Sequence, residues 1–223
     1  MPQVDLHIHS NRSTTSKVAV SDVAAFLQNE PRTLATITDF GTIESCLELR
    51  RLLPATTVVC GLEIRTAEGD FLVFSADEDF LRSIPEKLNS IGDLGGRDRS
   101  AVIWAHPFVN QRAKVYEVSH LPEVESVASH VDGLELFNGT MINLNRQGLL
   151  KTGYFQNLMR VANDFGLAMS GGSDAHEVSV LGKCSTNLPA QVVDAASLVA
   201  AIKAKAIIPH YDHKFFQVEI PLG

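Results

Sequence analysis

Apolar, β-rich runs recur along the chain and alternate with stretches in which apolar residues return every three or four positions. The runs Val4–His9, Leu34–Asp39, Thr57–Ile64, Phe71–Ser75, Ala101–His106, Gly133–Phe137, Leu167–Ser170 and Ala206–Pro209 predict strands. Helices are predicted over Asp22–Asn29, Ile43–Leu53, Val124–His130, about 145–165 and Asp194–Ala204. The fourth places Leu149, Leu150, Leu158, Met159, Ala162 and Phe165 on one buried face. In the last, Asp194 is positioned to cap the first turn, and Lys203 and Lys205 suit the negative end of the helix dipole. A complete eightfold β/α barrel takes about 250 residues, roughly 31 per unit, so 223 residues accommodate about seven units. The expected fold is therefore α/β, a compact and incomplete barrel forming a single domain over 1–223. The glycine-rich stretch Gly92–Ser100 reads as a surface turn.

Composition narrows the functional classes. Apolar residues at 45% and charged residues at 20% exclude general disorder. No uncharged apolar run reaches the roughly 18 residues a membrane span needs, and the opening Met-Pro-Gln-Val-Asp-Leu-His has neither region of a secretory signal, so the expected location is the cytoplasm. The net charge of −7 argues against a long nucleic-acid duplex or an anionic membrane as partner. Cys46, Cys60 and Cys184 are scattered and form no thiolate metal motif.

Chemistry-bearing residues gather at predicted strand ends. In Val4-Asp5-Leu6-His7-Ile8-His9, alternation sends Leu6 and Ile8 one way and Asp5, His7 and His9 the other. Residues two apart are about 6.5–7 Å apart along a strand, so two such imidazoles can converge on one ion. Glu63 interrupts an apolar run and needs a cation if buried. His106 ends a strand that Pro107 stops, and Asp174 and His176 follow Gly171-Gly172-Ser173. In a parallel β/α barrel these ends share one mouth, where active sites lie. Imidazole and carboxylate donors suit Zn, Mn, Fe or Ni better than Ca or Mg. His176, and secondly Asp39, are candidates to donate a proton to a leaving group. Arg12, Lys17, Arg112 and Arg146 follow mouth-forming strands and are candidate partners for an anionic substrate. His120, His130, His210 and His213 read as surface residues, and Trp104 as core. Glu135, within a strand, is either a group behind the ligands or a structural hydrogen-bond partner.

These motifs resemble those of the PHP (polymerase and histidinol phosphatase) phosphoesterases. The resemblance rests on Asp5-Leu6-His7-Ile8-His9-Ser10, Thr38-Asp39, Gly61-Leu62-Glu63, Ala105-His106-Pro107, Glu135-Leu136-Phe137-Asn138 and Gly172-Ser173-Asp174-Ala175-His176, in the family's order. It implies a distorted seven-stranded β/α barrel that hydrolyses phosphate esters with up to three ions, commonly Zn, Mn or Fe. By that resemblance His7, His9 and Asp174 hold the first ion, Glu63 bridges to a second held by His106, and His176 belongs to a third. Two departures stand out. Phe40 follows Thr38-Asp39 where the family usually has His, and the loop with Thr14 and Thr15 lacks the family's His or Asp. Asn143 and Asn145 stand near where a further His often serves the second ion. One or two ions are therefore expected rather than three.

The leading expectation is hydrolysis of a small phosphorylated metabolite, a nucleotide or a short oligonucleotide by a hydroxide made available on a divalent ion. Two alternatives stay open: a catalytically eroded binding or regulatory module of the same fold, and a barrel hydrolase of amides or lactones, which also opens with His-x-His.

Overall fold

Strands form where the apolar runs lie, but most are shorter than the runs. The computed structural model describes residues 2–30, 32, 34–109, 116–118 and 122–221. In chain order the main elements are β1 (Gln3–Val4), α1 (Val20–Asn29), β2 (Leu34–Ala35), α2 (Glu44–Leu52), β3 (Thr57–Val58), β4 (Gly61–Arg65), β5 (Asp70–Ser75), α3 (Glu78–Ser83) and β6 (Ser100–Trp104). They continue with α4 (Pro122–Ala128), β7 (Gly133–Asn138), α5 (Gly139–Arg146), α6 (Tyr154–Asp164), β8 (Ala168–Gly172), β9 (Cys184–Asn187), α7 (Ala195–Lys203), β10 (Ile208–Tyr211) and α8 (His213–Phe216).

The fold is mixed α/β, but continuous ladders do not close into a barrel among the described residues. They form three sheets, ordered β4-β5-β6-β7-β8, β1-β9-β10 and β2-β3. The five-stranded sheet is itself mixed: β5 runs antiparallel to its neighbours β4 and β6, while β4, β6, β7 and β8 all run in one direction. A short hairpin joins β4 to β5, leaving no room for the crossover helix that parallel neighbours require. Between sheets the chain is joined by isolated bridges. Thr38 N donates to Ile8 O at 2.8 Å, Glu63 N to Asp39 O at 3.1 Å, and Asp174 N to His7 O at 2.7 Å. These bonds draw the ends of separate strands toward one another.

Packing explains the buried strands. Along β5, Phe71 and Val73 enter one apolar cluster while Leu72 and Phe74 enter the other. Leu6 and Ile8 also enter different clusters, unlike the shared face predicted for them. The cause is local, because the Asp5 carboxylate turns back to accept from His7 N and interrupts the strand after β1. The helix predicted over about 145–165 is two helices, α5 and α6. Gly148 and Gly153, at φ 69° and 81°, adopt the left-handed backbone that ends one helix and starts the other. Asp194 caps α7 through Ser197 N at 2.8 Å, as its position predicts. The turn near Gly96 is held on the surface by an Arg97–Asp132 pair at 3.0 Å. Among the described residues no helix is long and apolar enough to cross a membrane.

Candidate metal centre

The segment ends converge on one buried cluster. His7, His9 and Glu63 are at most 1% exposed, and Asp174 is 9% exposed. His106, just beyond β6, and Asp174, just beyond β8, have φ of 29° and 52°. Non-glycine residues in that region cost on the order of 1–3 kcal/mol, so the fold holds two candidate donors in strained backbone. Gly172 makes the close approach possible: a Cβ there would lie 2.4 Å from the His7 Cβ and 2.6 Å from Glu135 Oε1.

Two imidazole nitrogens lie side by side, each within reach of two carboxylates. His7 Nε2 lies 3.1 Å from His9 Nε2 and 3.3 Å from Glu63 Oε2. His9 Nε2 is 2.9 Å from the same Glu63 oxygen, and Asp174 Oδ1 is 3.5 Å from both imidazole nitrogens. A tetrahedral ion with ligands at about 2.0–2.1 Å separates them by about 3.3–3.4 Å, which matches these spacings. Two imidazoles and two carboxylates at this packing fit Zn, Mn or Fe. Other donor sets overlap this one: His7, His106 and Asp174; His9, Asp174 and His176; and Glu63, Asp70 and His106.

Electrostatics point the same way. Burial opposes a charged His7, yet Glu135, Glu63 and Asp174 outweigh it and hold the imidazole well above its usual value. Burial likewise opposes the Glu63 charge, but His7 and His9 hold it well below the carboxylate range. Asp174 is lowered against the burial penalty by His7, His106 and His9. His106 is pushed up to about 9, its own burial outweighed by contact with Glu63 and the charge of Asp174. The cluster therefore retains protons when it lacks an ion.

For chelator-treated protein this has a defined sign. The folded His106 value of about 9 exceeds its ordinary 6.5, so its contribution is fully present below about 6.5 and is lost as pH rises through about 9. The thermal midpoint is expected to fall across that window, and His106→Asn is expected to flatten the fall. A midpoint independent of pH there would contradict the assignment.

Behind the donors lies a second set of buried groups. Glu135 Oε1 is 3.1 Å from His7 Nδ1, while its Oε2 accepts from His106 N at 2.9 Å and from Asn138 Nδ2 at 2.8 Å. Asn138 also caps α5, its Oδ1 accepting from Thr140 N at 2.8 Å. Glu135 thus bonds both imidazole-bearing segments from behind the donors. Asp5 plays a similar part for backbone, accepting from His7 N, Ser173 N and Gly182 N. Burial raises its carboxyl to about 6 against those hydrogen bonds.

The remaining sequence candidates are placed as follows. His176 is part-exposed at the rim, with Nδ1 2.9 Å from Asp174 O and Nε2 3.0 Å from Thr15 Oγ1. Asp39 is fully buried and accepts from Ser10 N at 2.7 Å, Ser10 Oγ at 2.6 Å and Ser13 Oγ at 2.7 Å, and also from Ser45 Oγ. A carboxylate surrounded by donors and shut off from solvent is badly placed to donate a proton, so Asp39 is better described as the anchor of Ser13, whose Oγ stands 3.1 Å from His9 Nδ1. Arg12 is exposed and paired with Glu48 at 2.8 Å, and Lys17 is exposed but joined by its backbone N to His176 O. Arg146 is exposed at the end of α5, and Asn143 and Asn145 are part-buried on the same helix. Arg112 and His120 lie outside the described residues. His130 bonds Ser126 O beyond α4, and His210 and His213 are exposed.

Two site residues had no sequence signal strong enough to single them out. Asp70 joins the Glu63 and His106 donors, and burial together with Glu63 raises its carboxyl. Arg65 places its guanidinium carbon 3.6 Å from the Phe40 ring centroid, and that ring stacks on His9 at 4.7 Å. The i, i+2 spacing of Glu63 and Arg65 on β4 was the available clue to the latter.

Comparisons with known proteins agree with this fold. Residues 156–207 match the family described as PHP-associated, PHP_C. A search of curated protein sequences gave no significant match. Among solved structures, the chain is similar to a two-domain protein from Bacteroides vulgatus containing a predicted PHP-like metal-dependent phosphoesterase, at 16% identity and a TM-score of 0.73. That alignment covers 94% of this chain and 64% of the other, so the chain spans under two thirds of that relative. PsfC from Pseudomonas syringae aligns at 16% identity and TM-score 0.69, covering 97% of this chain and 93% of that one. An amidohydrolase from Chromobacterium violaceum with bound sulfate and no metal aligns at 14% identity and TM-score 0.60, over 95% and 99% of the two chains. The architecture is that of a PHP-like α/β protein. The family match is confined to residues 156–207, and the whole-chain likeness to the PHP-like structure is one of fold.

Proposed function

We propose that this chain is a metal-dependent hydrolase of phosphate esters, acting on a small phosphorylated metabolite, a nucleotide or a short oligonucleotide. The observation that carries the reading is a quartet built on the buried pair His7 and His9, whose Nε2 atoms are 3.1 Å apart and each lie 2.9–3.5 Å from Glu63 Oε2 and Asp174 Oδ1, like ligands of one ion. On this reading the ring of strand ends, stitched by single bridges at Ile8–Ala175 and Phe40–Glu63, is the mouth of a distorted barrel. When bound, a divalent ion supplies Lewis-acid charge and lowers the pKa of water toward about 7.

The chain's own groups account for the remaining tasks. Glu135 holds His7 through Nδ1 and fixes which nitrogen faces the quartet. His176, at the rim, donates through Nδ1 to the Asp174 carbonyl, and in its charged form Nε2 carries the proton for a departing alcohol. The exposed Lys17 and Arg146 offer cations to phosphoryl oxygens, whereas Arg65 rests on Phe40 and is paired with Glu86. Arg12 is already engaged by Glu48. A small anionic substrate suits the net charge of −7 better than a long duplex does.

Hydrolysis of matched chromogenic mono- and diesters is expected with added Mn or Zn, abolished by chelation and restored by the ion. Ion-loaded protein that turns over neither ester would overturn the proposal. Phe40 favours one competing reading, a binding module of the same fold, because an apolar ring covers His9 where the family usually has an imidazole. That reading requires ligand binding without turnover, and any rate lost in His106→Ala excludes it.

A further inference from the structure

The quartet leaves one oxygen of Glu63 unused. Its Oε2 faces His7 and His9, whereas Oε1 is buried, has no hydrogen-bond partner among the described residues and stands 3.4 Å from His106 Nε2. An unsatisfied buried acceptor costs about 1–3 kcal/mol, and more when charged. The orphan is therefore a demand for a cation on the side of Glu63 away from His9.

Asp70 is the residue that the hairpin brings to that side. β4 and β5 pair Arg65 with Asp70 across the turn, and Gly69 at φ 140° lets the chain reverse. On its other flank Asp70 O accepts from Ala105 N at 2.9 Å, immediately before His106. Asp70 thus sits between the strand carrying Glu63 and the strand leading to His106. One donor atom from each of Glu63, Asp70 and His106 lies within 4.8 Å of the others.

The cross-strand cation that would ordinarily neutralise Asp70 is turned elsewhere. Arg65 rests on Phe40 and bonds Glu86 at 3.0 Å, and among the described residues Asp70 makes no ion pair. Nor is Asn138 free to supply a donor: it is committed to Glu135 and to the start of α5.

We propose that Asp70 is a metal ligand, completing with Glu63 Oε1 and His106 Nε2 a second cation site that shares the Glu63 carboxylate with the quartet. Two carboxylates and an imidazole suit Mn, Fe or Zn. The assignment shares with the proposed function the premise that the cluster binds ions, but its test reads binding rather than turnover.

Mn(II) titration by calorimetry, with elemental analysis of the loaded full chain, decides it. The wild-type chain is expected to take up two ions. Asp70→Asn, of nearly equal volume, is expected to keep the first at unchanged affinity and to bind the second at least tenfold more weakly, while Asp70→Glu retains two. Uptake of the first ion certifies folding of each variant, and Asp70→Ser replaces the Asn variant if that one fails the check. Two ions bound normally in the carboxamide variant, or a single ion in the wild type, would overturn the assignment. Loss of the second ion in a chain that hydrolyses no ester upholds Asp70 as ligand and sinks the phosphoesterase reading. Robust hydrolysis with both ions retained in Asp70→Asn does the reverse.

Discussion

Glu63→Gln is expected to remove ion binding and, with it, metal-dependent hydrolysis. Both carboxylate oxygens are engaged or demanded: Oε2 by His7 and His9, and Oε1 by the side facing His106. The carboxamide keeps the volume but presents one neutral acceptor and one amino group, which cannot ligate. Loss of a ligating carboxylate is expected to cost more than the roughly 10–100-fold in affinity that follows loss of a group behind a ligand. Calorimetric Mn(II) titration is expected to show that loss, with turnover falling by a similar factor or below detection. The apo variant is expected to fold, because its helices and strands are held by apolar clusters independent of this oxygen. Ion affinity within threefold of wild type would show that the quartet is not the metal site.

The second large effect is expected at a residue that touches no ion. Glu135→Gln leaves only one oxygen to serve three donors, His7 Nδ1–H, His106 N–H and Asn138 Nδ2–H, and turns an amino group toward one of them. Replacement of a carboxylate behind a ligating histidine typically costs 10–100-fold in metal affinity. The expected result is a loss of that size in ion affinity, with turnover substantially recovered at saturating metal. Unchanged affinity would make Glu135 purely structural. Unchanged affinity combined with a lowered melting temperature would identify it as packing alone.

The local part of the site was legible in order along the chain. Strand ends carrying His7, His9, Glu63, His106, Asp174 and His176 stand out because polar donors end apolar runs, and the structure brings all six together. Gly172 beside them reads as a small residue, and its reason appears only in space, where a side chain would strike His7. Other features have no local signal. Glu135 and His7 are 128 positions apart, and nothing in either segment announces their hydrogen bond. Asp70 looks like an ordinary hairpin aspartate until β5 is paired between β4 and β6. β9 carries no apolar run, because beside Cys184 its buried residues, Ser185 and Thr186, are small and polar.

Periodicity and donor chemistry are properties of neighbours along the chain, so the sequence by itself determined the α/β rhythm and the inventory of imidazole and carboxylate donors. Which sheet each strand joins, where β5 reverses direction, and which oxygen of Glu63 is left without a partner depend on contacts between distant segments. Those contacts are set by packing two apolar clusters at once and by satisfying buried polar atoms. Tertiary structure alone decided them, because burial and hydrogen-bond geometry exist only after the chain has closed on itself.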